Sequence, residues 1–245
     1  MSTAAADQIG AILSEGAMLR LVAPGLYSVY PEDADAALSY DTFFGTLYDK
    51  VACNRLYNRL VWGYSVDEYP GLCREALAAG AGGWMLDAGC GSLAFTAAVY
   101  AAGLNRPVVC LDRSLRLLKI ARNRLLRKAG RVPENLVLLH ADALVLPFKP
   151  AVFDTIFCLN LLHVLEDIEE AVAALCRSAR PGAPLVFTAL VKSGRLADRY
   201  LKRWADAGEL FERTEQDLLG VCRSLNIPAE CRVTGNLAFL HCRAR

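Results

Sequence analysis

Residues 85–96 read MLDAGCGSLAFT. A short apolar run ends at Asp87, two glycines stand one apart at 89 and 91, and an apolar, helix-forming stretch follows. Glycines so placed allow a tight turn and close approach of backbone to a bound group, with helix N-terminal N–H groups aimed at it. Plain turns also contain such pairs, so the meaning of this one rests on the segments around it.

From about residue 83 onward, apolar strands alternate with helical patterns. Residues 84–88, 107–112 (PVVCLD), 135–140 (NLVLLH), 153–159 (FDTIFCL) and 183–190 predict five strands. Helices are expected over 93–102, 114–128 and 166–180. Ser114 serves as a cap for the second, and Pro181-Gly182 stops the third. The connection 141–152 holds two prolines and reads as loop. Each parallel crossover needs a helix to return the chain, so this alternation implies a parallel sheet covered on both faces. Residues 230–234 and 236–243 are two more strand-like runs joined through Gly235, a link short enough only for an antiparallel hairpin. The expected fold class is α/β: a doubly wound, mostly parallel seven-stranded sheet with an antiparallel C-terminal hairpin strand and helices on both faces. Residues 1–82 are expected to form a helical lid or extension, 83–245 the main domain, and 193–219 a substrate cap.

Composition narrows the function. With 27 basic and 26 acidic residues in 245, the net charge is +1, and no nucleic-acid partner is expected. Nine cysteines include no C-x-x-C pair and several lie inside apolar runs. They read as small buried hydrophobes in a reducing, cytoplasmic setting, with no metal site expected. The N-terminus lacks a basic leader pattern, and no run is long enough for a membrane span.

The glycine turn gains meaning from the strand ends beside it. In an open parallel sheet, ligands collect outside the carboxyl ends of the strands. Asp87, Asp112 and Asp142 close the first, second and third strands. A carboxylate at 112 can accept two hydrogen bonds from a ribose diol, and one at 142 can meet an exocyclic amino group. Together they point to a nucleoside ligand. Gly89-x-Gly91-x-x-Ala94 formally meets the dinucleotide fingerprint, which keeps a nicotinamide cofactor in view. Asp87, however, places negative charge where a pyrophosphate needs positive potential, and an amino acid's ammonium would welcome it.

MLDAGCGSLAFT, VVCLDRS, HADALVLPF, FDTIFCLNLLHVLED and RPGAPLVFTAL, in this order, resemble successive motifs of the class I S-adenosylmethionine-dependent methyltransferases, whose core is Rossmann-like. Within them the chain is similar to the group of ubiquinone/menaquinone-type and small-molecule enzymes, over about residues 83–190. The resemblance implies S-adenosylmethionine as cofactor and methyl transfer to a small acceptor at O, C or N. It would put Asp87 by the methionine ammonium, and Gly89 and Gly91 in backbone contact with the methionine and ribose. Asp112 would hold the ribose hydroxyls, Arg113 and Ser114 would edge the adenine, and Asp142 would face its amino group with the Ala143 N–H beside it. Asn160 would face the transfer site. One departure stands out: where the family usually has a third glycine, this chain has Leu93. Either the helix starts farther from the sheet or Leu93 narrows the pocket.

Of three histidines, His163, just past the fourth strand, is the catalytic candidate; His140 reads as packing. The acceptor pocket is expected from the aromatics of 40–69 (Tyr40, Phe43, Phe44, Tyr48, Tyr57, Trp62, Tyr64, Tyr69) and from 193–219. There Tyr200 and Trp204 share a helical face, and Arg195, Arg199 and Arg203 form a basic stripe. The small-molecule acceptor is expected to be apolar or aromatic. A protein that keeps the pocket without turnover, as a partner or regulatory subunit, is the alternative.

Overall fold

A computed structural model of the protein describes residues 4–31 and 54–245. Tyr40, Phe43, Phe44, Tyr48 and Cys53 lie outside the described residues. Among the described residues, nine strands form one mixed sheet: β1 (Arg20–Ala23), β2 (Leu26–Ser28), β3 (Met85–Ala88), β4 (Val108–Asp112), β5 (Leu136–His140), β6 (Thr155–Leu159), β7 (Pro184–Leu190), β8 (Ala229–Thr234) and β9 (Leu237–Arg243). Their spatial order is β1-β2-β5-β4-β3-β6-β7-β9-β8. Strands from β2 to β7 in that order pair in parallel, while β9 runs antiparallel to β7 and to β8.

Seven of these, β3 to β9, are the doubly wound sheet expected from the sequence. The other two come from the N-terminal region, where only helix was expected. Pro24 and Gly25 turn the chain between β1 and β2, and β2 adds to the free edge of β5 with Ser28 opposite His140. That edge would otherwise expose a row of unpaired backbone groups.

Strand alternation splits the core into two layers. On β4, Val109 and Leu111 join one apolar cluster while Val108 and Cys110 join the other; β5 divides its leucines and valine in the same way. Both faces are therefore dry, as a fully covered parallel sheet requires.

Helices supply the covers: α1 (Ala4–Ile12), α2 (Glu68–Ala78), α3 (Ala97–Ala101), α4 (Leu115–Ala129), α5 (Ile168–Ser178), α6 (Asp198–Asp206) and α7 (Glu215–Ser224). Ser114 caps α4 by accepting the Leu117 N–H, as expected, and Asp167 caps α5 through the Glu170 N–H. The expected cap segment 193–219 divides into α6, a loop and the start of α7, where Thr214 and Asp217 form a reciprocal capping box.

The helix after the glycine turn begins later than expected, at Ala97 rather than near 93. Leu93 instead adopts φ +54°, a left-handed conformation that costs a side-chain-bearing residue about 1–2 kcal/mol. Its side chain is buried in the apolar cluster on the α2–α3 face, and its carbonyl accepts the Ala97 N–H that opens the helix. The departure at Leu93 thus coincides with a helix that starts later along the chain.

Candidate functional site: the carboxyl ends of the central strands

Backbone bonds weld the glycine turn to the neighbouring strand. Cys90 N–H donates to Leu111 O at 2.9 Å, and Gly91 N–H donates to Asp112 Oδ2 at 2.7 Å. Gly89 takes φ +68°, and a Cβ there would press on Leu161 at 3.0 Å, so both conformation and space demand glycine. Gly91, at φ +55°, has nothing within 4 Å of where its Cβ would stand. Its backbone thus borders open volume at the strand ends.

Asp112 stands at the centre of this arrangement. Its other oxygen, Oδ1, accepts the Ser114 N–H at 2.8 Å, so one half-exposed carboxylate holds both the turn and the start of α4. A carboxylate oxygen carries two lone pairs, so each can accept a diol hydroxyl as well as its backbone donor.

Asp87 lies deeper, 2% exposed, with the Tyr100 hydroxyl donating to Oδ2 at 2.7 Å. Burial pushes its carboxyl up to about 7; the Tyr100 hydrogen bond opposes that rise, and the charge of Asp112 adds to it.

Asp142 uses Oδ1 to accept the Leu144 N–H at 2.9 Å, while Oδ2 lies 3.7 Å from Arg113 Nε. Ala143 is buried beside it. The N-terminal hairpin reaches this corner. The Arg113 carbonyl can only accept, so His140 donates to it through Nε2 at 3.0 Å, and Nδ1 is left to face Ser28 Oγ at 3.0 Å. Tyr30 then meets the His140 ring edge-on, centroids 4.8 Å apart. Its hydroxyl interacts with the Asp142 backbone, and burial raises its pKa.

Asn160 follows β6 in a left-handed conformation, φ +55°, which Asn tolerates better than most residues. Its side chain is held from two sides. Nδ2 donates to the Tyr69 hydroxyl at 2.8 Å, and Oδ1 accepts from Thr188 Oγ1 at 3.1 Å. Tyr69 packs against Phe95 of the glycine segment, centroids 4.8 Å apart, and against Tyr64 at 6.0 Å. A second aromatic run continues through Tyr57, Trp62, Tyr200 and Trp204, with neighbouring centroids 5.5–6.3 Å apart. Tyr200 and Trp204 therefore both dock α6 and extend an aromatic surface. Arg195, Arg199 and Arg203 are exposed.

His163 is buried, and burial lowers its pKa to about 4. Its Nδ1 accepts the Leu190 N–H at 3.2 Å, so the neutral ring carries its proton on Nε2. Neither nitrogen then offers a lone pair to a substrate proton unless the Leu190 bond breaks.

The structure thus gathers Asp87, Gly89, Gly91, Asp112, Arg113, Asp142, Ala143 and Asn160 along the carboxyl ends of β3 to β6. Sequence reasoning missed Tyr30, Phe95, Tyr100 and Thr188. Tyr100 sits in α3 (AAVYA), where its hydroxyl is the one side-chain polar group, and that was the available signal.

The donor set suits a phosphate-free nucleoside carrying an amino acid: two carboxylates beside a glycine turn that borders open space, and a third at the next strand end. Residues 86–187 match the family described as a methyltransferase domain. An uncharacterized chloroplastic methyltransferase of Arabidopsis thaliana is 35% identical over 115 residues, 46% of this chain and 32% of that protein. The matched segments span less than half the length of the curated relatives. Among solved structures, the [4+2]-cyclase SpnF aligns with TM-score 0.65 at 18% identity, covering 84% of this chain and 94% of that one. A Streptomyces coelicolor geranyl diphosphate C-methyltransferase, solved with S-adenosyl-L-homocysteine, aligns at TM-score 0.60 and 10% identity over 73% and 76% of the two chains. Residues 86–187 thus resemble a methyltransferase domain, and these solved structures share the fold.

Proposed function

We propose that the protein transfers a methyl group from S-adenosylmethionine to a small apolar or aromatic acceptor. The observation that carries this reading is the row of strand-end carboxylates, Asp87, Asp112 and Asp142, beside a glycine turn whose backbone borders open space, with Asn160 held by Tyr69 at the next strand end. When bound, the cofactor supplies a sulfonium whose methyl carbon is electrophilic. Asp87 would take the ammonium, the Gly89–Gly91 backbone the methionine and ribose, Asp112 the ribose hydroxyls, and Arg113, Ser114, Asp142 and Ala143 the adenine. Asn160, clamped by Tyr69 and Thr188, would orient the groups that react; such positioning is worth several kcal/mol.

His163 already accepts the Leu190 N–H at Nδ1 and carries its ring proton on Nε2, so its geometry supports a structural role. The acceptor would then arrive nucleophilic, as an electron-rich carbon or an ionised oxygen. A second reading, a cofactor-binding protein that does not transfer methyl groups, draws on the fold shared with a [4+2]-cyclase.

Calorimetry with S-adenosylmethionine, S-adenosylhomocysteine and NAD comes first, because any ligand specific to the native state stabilises it by RT ln(1 + [L]/Kd). Mass spectrometry then follows methyl transfer to quinols, phenols and prenyl compounds. Binding of the first two with a product 14 Da heavier than its acceptor is expected. Stabilisation by NAD alone would overturn the cofactor assignment, and tight binding with no product across the panel would favour the second reading.

A further inference from the structure

Asp87 shares strand parity with Met85, so its side chain points into the layer under α2 and α3 rather than straight at solvent. Every element around it contributes an uncharged or acidic group. Tyr100 of α3 donates to Oδ2 at 2.7 Å and is itself fully buried. Cys73 of α2 and Cys110 of β4 flank the same tyrosine hydroxyl, Cys90 comes from the turn, and Cys158 comes from β6. The remaining charged neighbour acting on the carboxyl is Asp112. Among the described residues, this carboxylate therefore has a single strong side-chain donor and no cation to balance it.

We propose that Tyr100 is a positioning residue of the cofactor site: it holds one oxygen of Asp87 and leaves the other for an ammonium, so that cofactor capture expels a proton from Asp87. This rests on the reading that S-adenosylmethionine is the cofactor and that Asp87 meets its ammonium. The step balances simply. The carboxylic acid loses its proton to solvent, the carboxylate and the ammonium pair, and no other bond changes. Burial raises the Asp87 carboxyl to about 7 in the free protein, far above the ordinary carboxyl range, so a proton is there to be released near neutral pH. An arriving cation favours the ionised form. The Tyr100 hydrogen bond works in the same direction, which keeps the proton removable. A shell of thiols rather than hydroxyls suits such a carboxylate, because weak donors leave it under-solvated and avid for a cation.

S-adenosylhomocysteine is the probe, because it has the ammonium without the sulfonium charge. Titration calorimetry at pH 7 in two buffers of different ionisation enthalpy should show net proton release on ligand binding. Affinity should rise about tenfold from pH 6 to pH 8. In Tyr100→Phe, the midpoint of that rise should move up by a pH unit or more, with binding at pH 7 weakened about tenfold and largely restored by pH 8.5. Carbon-detected NMR of aspartate carboxyls in the free protein should find the same midpoint for Asp87 and the same upward move in the variant. Asp87→Asn satisfies the Tyr100 hydroxyl with an amide oxygen; it should bind weakly, release no proton and show no pH dependence, and it serves should Tyr100→Phe fail to fold. Binding to wild type with no proton release would overturn this inference and leave the cofactor reading standing. An unmoved midpoint in a folded Tyr100→Phe, whatever its Tm, would do the same. Failure of the ligand to bind wild type at any pH would sink both.

Discussion

The strand-end half and the aromatic half of the molecule are built from different interactions. Around the glycine turn, carboxylates bind backbone: Asp112 holds Gly91 and Ser114, and Asp142 holds Leu144. These bonds set the strand ends to within the tolerance of a hydrogen bond. Around Tyr69 and α6, aromatic rings pack with centroids 4.8–6.3 Å apart, and the C-terminal hairpin bonds the segment that carries Trp62. Gly235 there abuts the backbone of Trp62 and Gly63 so closely that a Cβ would overlap it. Asn236 donates from its backbone to Trp62 O at 2.8 Å and from its side chain to Val191 and Asp198. Polar geometry defines which ligand fits the first half. Ring packing defines only shape and apolarity in the second, and such surfaces change occupant with modest repacking.

Several substitutions would test that contrast, beginning with the largest effect. Asp87 is buried with a pKa raised from 3.8 to about 7, so its ionisation works against the empty fold. The unfolded chain ionises first as pH rises through 4, the folded chain only near 7, and stability of the free protein falls across that window. Above pH 7 the cost is fully present. Asp87→Asn should therefore stabilise the free protein at pH 8 by up to roughly 4 kcal/mol while weakening cofactor binding. Denaturant melts at pH 5 and pH 8 check it; an equal effect at both would mean the carboxyl is not strained. Asp112→Ala should weaken cofactor binding by roughly 1.5–3 kcal/mol, the scale of hydrogen bonds to a charged group, with the acceptor KM unmoved. If the folded variant keeps its affinity, the ribose is held elsewhere.

On the acceptor side, Tyr200→Ala removes the ring between Trp62 and Trp204. The acceptor KM should rise about tenfold, equivalent to about 1.4 kcal/mol, with cofactor Kd within twofold of wild type. A change in Kd alone would show that the two halves are not separable. His163→Gln should have the smallest effect on chemistry, with kcat within about threefold and an unaltered pH profile. Its loss of the Leu190 bond should cost about 1 kcal/mol of stability. Disappearance of the acidic limb of kcat would instead make His163 the proton acceptor.

Much of this was legible in the sequence. The seven strands β3 to β9 were expected within a residue or two: burial on both faces forces continuous apolar runs in β3 to β7, and the short link at Gly235 marks the β8–β9 hairpin. Asp87, Gly89, Gly91, Asp112 and Asp142 were recognisable because their place at strand ends follows from local pattern. Three features were not. The β1–β2 hairpin joins β5 across more than a hundred residues, and two strands of three or four residues have too little periodicity to announce themselves. Leu93 looks like the first residue of a helix by propensity, yet surrounding packing holds it left-handed and delays α3. Tyr100 reads as one more apolar helix residue until its partner is seen.

Sequence by itself determined the sheet, the turn and the carboxylates, since each depends on residues adjacent along the chain. Tertiary structure alone decided that Tyr100 meets Asp87, that Tyr69 and Thr188 clamp Asn160, and that Tyr30 reaches the Asp142 corner. These pairs are far apart in sequence or on different elements, and only packing two layers on a twisted sheet brings their polar atoms within hydrogen-bonding distance or their rings into contact.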